Sequence, residues 1–237
     1  MSWVWYERAG EAGRLLPATA AVFSPADRGF MYGDGLFETV RVYAGTAPLL
    51  RRHLRRLREG LALLGFPTLP WVDSRKLASR CRDLLAAAGI AEGYLRLSVS
   101  RGEGERGFTP PSVQKPMLMI QAGPLPPVPE PPRARWRAAI VPWRVDPSYP
   151  GLGLKSLSAL DKVLARIGAP GADEAIFLNV HGSVTEATTA NIFAFTGEVL
   201  VTPDRGSGIL PGVARGLVLA LARAAGIETA ERPLPLE

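Results

Sequence analysis

Three features of this 237-residue chain combine residue type and setting in a way that could do chemistry: Lys155, Glu186 and a glycine-opened helix start near Gly212. Lys155 stands in Gly151-Leu-Gly-Leu-Lys155-Ser-Leu, after a glycine-spaced turn and before a helical pattern. The chain has four lysines (Lys76, Lys115, Lys155 and Lys162) against 24 arginines, so its basic character is normally supplied by arginine. A lysine amine loses its proton when desolvated and attacks a carbonyl, which a guanidinium cannot do. Taken singly each feature has a plainer reading. Lys155 is then a solvated loop residue, Glu186 in Val184-Thr-Glu-Ala-Thr-Thr-Ala-Asn191 a surface turn acid, and Gly212 an ordinary residue before a helix.

Together they meet the needs of one cofactor. Pyridoxal phosphate requires an amine for its aldehyde, a carboxylate that keeps its ring nitrogen protonated, and backbone N–H groups for its phosphate. Gly212-Val213-Ala214, opening a helix that runs to about Ala225, would provide the last.

Such residues need a folded frame, and 237 residues at 47% hydrophobic content suffice for one large domain or two small ones. No apolar run approaches a membrane span and the N-terminus MSWVWYERAG lacks a signal-peptide pattern, so a cytoplasmic protein without membrane association is expected. One cysteine, Cys81, excludes an internal disulfide, and it falls in a helical pattern that reads as core. With only His53 and His181 besides, no metal site is expected. The net charge of +6 suits an anionic cofactor and a small anionic substrate. Nucleic-acid binding is disfavoured, because the arginines are spread along the chain without an aromatic-interleaved platform.

In chain order, two short strands are expected within 3–23 around a Gly10–Gly13 turn, then a glycine-rich turn and a strand from Phe37 to Tyr43. Leu50, Leu54, Leu57, Leu61 and Leu64 recur at helical spacing, with arginines on the remaining faces. A second helix, capped by Asp73, reaches about Ala88, and strands are expected at 94–100 and 117–122. Between these strands lies the glycine-spaced Arg101-Gly-Glu-Gly-Glu-Arg-Gly-Phe108, which reads as a substrate loop. Pro124 to Pro132 holds six prolines in nine residues. It reads as a linker (124–132) between a smaller N-terminal domain (1–123) and a larger cofactor-binding domain (133–237). In the latter, strands are expected at 136–141, 174–179, 190–195 and 198–202, with a helix from about Ser158 to Ile167. Strands and helices mix without regular alternation, which predicts an α+β fold.

At this point the chain resembles the fold-type IV pyridoxal-phosphate enzymes, which include aminodeoxychorismate lyase, branched-chain aminotransferase and D-amino-acid transaminase. The likeness runs from about Phe23 to Ala225. It rests on Asp27-Arg28-Gly29 with Gly33-Asp34-Gly35-Leu-Phe37-Glu-Thr39, on His53-Leu54-Arg55-Arg56-Leu57, on Lys155-Ser-Leu, on Thr185-Glu186-Ala-Thr-Thr-Ala-Asn191-Ile-Phe193, and on Gly208-Ile-Leu-Pro-Gly-Val-Ala-Arg215. The resemblance implies a two-domain, D-amino-acid transaminase-like α+β fold with the cofactor at the domain interface and Lys155 as the catalytic lysine that holds it. It leaves Lys162 on a helix surface. It further implies that Arg56 pairs with the phosphate, Glu186 with the pyridine nitrogen, Leu210 with a ring face, and Gly212, Val213 and Ala214 with the phosphate through their backbone. Three departures stand out. Ala214 replaces the family's usual threonine, Ser158 replaces a common asparagine, and the chain stops at Glu237, short of strands and a loop expected from relatives.

Within the family, Arg101–Phe108 is similar to the Arg-Gly-x-Gly-x-Arg-Gly-aromatic loop of aminodeoxychorismate lyases, and Glu38-Thr39 departs from the Glu-Gly-Ile of branched-chain transaminases. The lyase reaction is therefore expected, with an aminotransferase as the alternative. Arg106 would bind a substrate carboxylate, Arg28 and Arg96 being the other candidates. Because this loop in relatives reaches a neighbouring subunit's site, the resemblance also implies a homodimer.

Overall fold

The computed structural model describes residues 3–21, 23–69, 74–125 and 136–236. The chain divides into two compact units, Met1–Pro129 with Lys155–Ser158, and Glu130–Leu154 with Ala159–Glu237. The expected helix cap Asp73, and residues 126–132 of the expected linker, lie outside the described residues.

In the first unit, β1 (Trp3–Arg8), β2 (Arg14–Pro17), β3 (Gly35–Val42), β4 (Gly93–Ser100) and β5 (Met117–Pro124) form an antiparallel sheet in the order β2-β1-β5-β4-β3. The register pairs Leu36 with Val99, Val40 with Leu95 and Leu97 with Ile120, which gathers the apolar side chains on one face. Two helices pack there, α2 (Leu50–Leu63) on β3 and α3 (Ser74–Ala88) on β1 and β5. Leu50, Leu54, Leu57 and Leu61 of α2 are buried, as their spacing predicts. Cys81 is buried too, and burial pushes its thiol up to about 12, so it is a core residue.

A short helix, α1 (Arg28–Tyr32), occupies what reads in the sequence as a plain turn. The Asp27 carboxylate makes it possible by accepting the Gly29 and Phe30 N–H groups at 2.8 and 3.3 Å, and Gly33 ends it at φ +67°.

The first unit also contains Lys155–Ser158, which a second domain running unbroken from 133 to 237 does not allow for. The reason is backbone pairing. Phe37 N–H donates to the Lys155 carbonyl at 2.8 Å and Leu157 N–H to the Gly35 carbonyl at 3.0 Å, with Ser156 opposite Leu36. Lys155–Leu157 thus extends the sheet along the β3 edge. The glycines at the start of β3 permit this approach: a Cβ on Gly33 would stand 2.8 Å from Ser158 Cβ, and one on Gly35 would stand 2.7 Å from Leu157 Cδ1.

In the second unit, β6 (Ala138–Val145), β7 (Glu174–Asn179) and β8 (Val184–Ala187) make one three-stranded sheet, parallel between β6 and β7. The helix α4 (Leu160–Ile167) lies between β6 and β7 in the chain, and Val141, Ala165, Ala169, Ala175 and Phe177 form the core. A second sheet joins β9 (Ala194–Thr196), β10 (Val199–Thr202) and β11 (Thr229–Glu231), and α5 (Val213–Ala224) packs on β11. The structure is α+β in both units. No helix among the described residues is long and apolar enough to cross a membrane.

Candidate active site

Residues 155–157 pair with β3 like a strand, so Lys155 projects on the sheet face away from α2, as Phe37 does. Its Nζ lies 4.7 Å from the centre of the Phe37 ring, and the Arg96 guanidinium sits over the same ring at 3.8 Å. Thr39 pairs with Arg96, which places Arg96 on this face. Burial lowers the Arg96 pKa, and no carboxylate among the described residues pairs with it. A half-buried guanidinium without an ion pair among the described residues has the chemistry to hold a carboxylate.

Arg56 lies on the helix side of β3. It forms a two-point contact with Glu38, Nε to Oε1 at 2.7 Å and Nη2 to Oε2 at 2.6 Å, and His53 Nδ1 donates to Oε2 at 2.7 Å. Glu38 is 1% exposed. Burial acts to raise its pKa, but the hydrogen bonds from Arg56 and His53 outweigh it and hold the carboxyl below its ordinary value. Sequence reasoning missed this partner, although a signal was there. Leu36, Val40 and Val42 alternate inward, and Glu38 falls on the same face, where an acid must be paired.

The Arg101–Phe108 loop is anchored by two arginines that share one carboxylate. Arg28 Nε and Arg101 Nε each donate to Asp34 Oδ2 at 2.8 Å. Arg28 also donates to the Gly107 and Phe108 carbonyls at 2.8 and 2.9 Å, while Tyr32 accepts the Gly107 N–H. At 2% exposure, with its donors spent on the loop, Arg28 is not placed to bind a substrate carboxylate, and the expectation for it is corrected accordingly. Arg106 is exposed at the loop tip, with no ion pair among the described residues.

Burial raises the Asp34 pKa, but hydrogen bonds from Arg101 and Arg28 outweigh that and hold it below the usual value. Asp34 and Glu38 therefore bind protons more readily in the unfolded chain than in the folded one. The stability they contribute is present above about pH 5 and lost as the pH falls through the ordinary carboxylate range to below about 3. The urea midpoint should fall steeply over that interval, and Asp34→Asn should lower it at neutral pH while flattening the acid limb. An acid limb with the parent's slope in Asp34→Asn would remove Asp34 from this account.

In the second unit, Glu186 in β8 accepts Leu210 N–H at 2.9 Å and Asn191 Nδ2 at 3.4 Å on Oε2, and Lys162 Nζ at 3.1 Å on Oε1. Lys162 is thus not simply a helix-surface lysine, as the sequence suggests. Asn191 also donates Nδ2 to the Leu210 carbonyl at 2.9 Å, so one side chain ties Glu186 to the turn ahead of α5. That turn places Leu210 and Gly212 beside the carboxylate's own hydrogen-bond network. α5 starts at Val213 with Gly212 as N-cap and no side-chain cap. A Cβ at Gly212 would collide with Asn191 Oδ1, so only glycine fits, and glycine leaves the helix N-terminus without a capping oxygen.

The donor set of this chain fits pyridoxal phosphate: an amine on a rigid edge, an oriented carboxylate, an uncapped helix N-terminus and a clamped arginine. Comparison with known proteins agrees. The model of the amino-transferase class IV family matches residues 35–237, and the chain belongs to that family. A Methanocaldococcus jannaschii protein with the provisional name branched-chain-amino-acid aminotransferase is 36% identical over 229 residues, 94% of this chain and 77% of its own length. The aminodeoxychorismate lyase of Bacillus subtilis is 32% identical over 91% of this chain and 74% of its own. Among solved structures, 4-amino-4-deoxychorismate lyase from Pseudomonas aeruginosa matches with a TM-score of 0.79 and 34% identity, covering 98% of this chain and 82% of that one. The fold is that of the fold-type IV enzymes, and the cofactor is pyridoxal phosphate.

Proposed function

We propose that the chain is a lyase that eliminates pyruvate from 4-amino-4-deoxychorismate and leaves 4-aminobenzoate. The observation that carries this reading is the Arg101–Phe108 loop, whose glycine and arginine spacing resembles that of the lyases and which Arg28 and Arg101 hold in place. Bound pyridoxal phosphate supplies an electron sink for the charge left when a proton is removed beside the substrate nitrogen. Lys155 Nζ takes that proton from the ring carbon bearing the amino group. The C–O bond to the enolpyruvyl group then breaks, its electron pair leaves with the enolate, and the proton held on Lys155 returns to give pyruvate. Aromatisation makes the step effectively one-way, so orientation and charge stabilisation are the protein's main contributions.

The substrate has two carboxylates, and two arginines suit them. Arg96 lies over the same Phe37 ring as the Lys155 amine and Arg106 is exposed in the loop, and the burial of Arg96 makes it the stronger anchor. Arg56 serves the phosphate, held in orientation by Glu38, and Val213 and Ala214 offer it their backbone N–H groups. A homodimer is part of this reading, supported by Phe108 and Phe30, which are 85% and 79% exposed in the single chain.

Arg96→Leu should raise the Michaelis constant for aminodeoxychorismate by about 10- to 100-fold, the loss of one charge-assisted contact, while cofactor affinity stays at the parent level. Arg106→Ala should raise it by less. The deciding assay is pyruvate release from aminodeoxychorismate, run beside transamination of branched-chain and D-amino acids. No pyruvate together with efficient transamination would replace the lyase with an aminotransferase, the reading that the higher identity to the Methanocaldococcus jannaschii protein favours.

A further inference from the structure

Lys162 has no part in the reaction described above, yet it is one of four lysines in a chain that otherwise uses arginine. It stands in the first turn of α4, 37% exposed, with Nζ 3.1 Å from Glu186 Oε1 and 5.3 Å from the centre of the buried Phe177 ring. The other Glu186 oxygen is already taken by Leu210 N–H and Asn191 Nδ2. Three donors converge on this carboxylate, and one of them carries a full positive charge. Leu210 and Asn191 suffice to orient it, and a partly exposed ion pair adds little to folding stability. What Lys162 alone changes is the charge.

We propose that Lys162 is a positioning residue that acts through Glu186 on bound pyridoxal phosphate, so that the ring nitrogen holds its proton less tightly than a carboxylate without a cation would hold it. The proposal rests on the reading that Glu186 faces the ring nitrogen. A carboxylate stabilises a protonated pyridine by its negative potential, and an ammonium on the same carboxylate opposes that potential while repelling the pyridinium itself. A charge within about 4–6 Å of a titrating group commonly moves its protonation midpoint by about one to three units, and a like charge moves it away from the charged form.

The test loads parent, Lys162→Met, Lys162→Gln, Lys162→Arg and Glu186→Gln with pyridoxal phosphate labelled with 15N in the ring, and follows the nitrogen shift against pH. Thermal melts of the cofactor-free variants identify any that do not fold, and the two neutral replacements make the reading independent of either one. A neutral replacement should move the midpoint of ring-proton loss up from the parent's by about one unit or more, and Lys162→Arg should restore the parent's. The proposal is overturned if the neutral variants and the parent titrate together while Glu186→Gln lowers the midpoint. If Glu186→Gln leaves the midpoint unmoved, the placing of Glu186 at the ring nitrogen falls first, and the role of Lys162 falls with it.

Discussion

Lys155→Ala should give a protein that folds and melts as the parent does without cofactor, but shows no visible absorption band from bound cofactor and loses activity by roughly 10³-fold or more. The fold should survive because this segment is held by its backbone. Phe37 N–H donates to the carbonyl of residue 155 and Leu157 N–H to Gly35, contacts that alanine keeps. What disappears is the amine beside Phe37, which in the proposed function serves both as the point of attachment and as the base. No other lysine is set to replace it: Lys162 is engaged with Glu186, and Lys76 and Lys115 lie in no motif of the site. Borohydride reduction of the loaded parent followed by peptide mapping should find the label on Lys155, and a label on Lys162 would refute the assignment.

Glu186→Gln should retain cofactor but lower turnover by about 10²- to 10³-fold, the range expected when a preorganised charge at a developing centre is replaced by a neutral group. A glutamine oxygen can still accept Leu210 N–H, so the turn before α5 should keep its shape. The charge proposed to keep the ring nitrogen protonated is lost, and Lys162 is left without its anion. Fluorescence titration of pyridoxal phosphate and steady-state rates at full loading separate the two effects. Turnover within a few-fold of the parent would remove Glu186 from the role given to it.

Regular local patterns were legible in the chain, and pairings over long distances were not. The Leu50, Leu54, Leu57 and Leu61 stripe announces α2 because every helical turn repeats the signal, and the 174–179 strand reads directly from its apolar run. The strand expected at 190–195 is instead Ala194–Thr196, since Asn191 is drawn to Glu186 and Leu210. The pairing of Lys155–Leu157 with β3 has no signature, because Lys-Ser-Leu is an unremarkable tripeptide and its partner lies over a hundred residues earlier. Arg28 was misjudged for a related reason: its partners Gly107 and Phe108 lie 79 and 80 positions away. Motif resemblance supplied residue types for the site, whereas only geometry shows that Glu38 clamps Arg56 and that Lys162 meets Glu186.

The edge pairing at β3 also imposes an order on synthesis. The strand Gly35–Val42 leaves the ribosome more than a hundred residues before Lys155–Leu157, with β4 and β5 emerging in between. During that interval Gly35 and Phe37 have backbone groups on their outer side without the partners they will later hold, the kind of open edge that recruits strands from other nascent chains. The nascent protein therefore completes its first unit only after β6, the second unit's first strand, has been made. The closing strand is the one that carries the lysine, so the edge stops being a hazard at the moment the amine reaches its place beside Phe37.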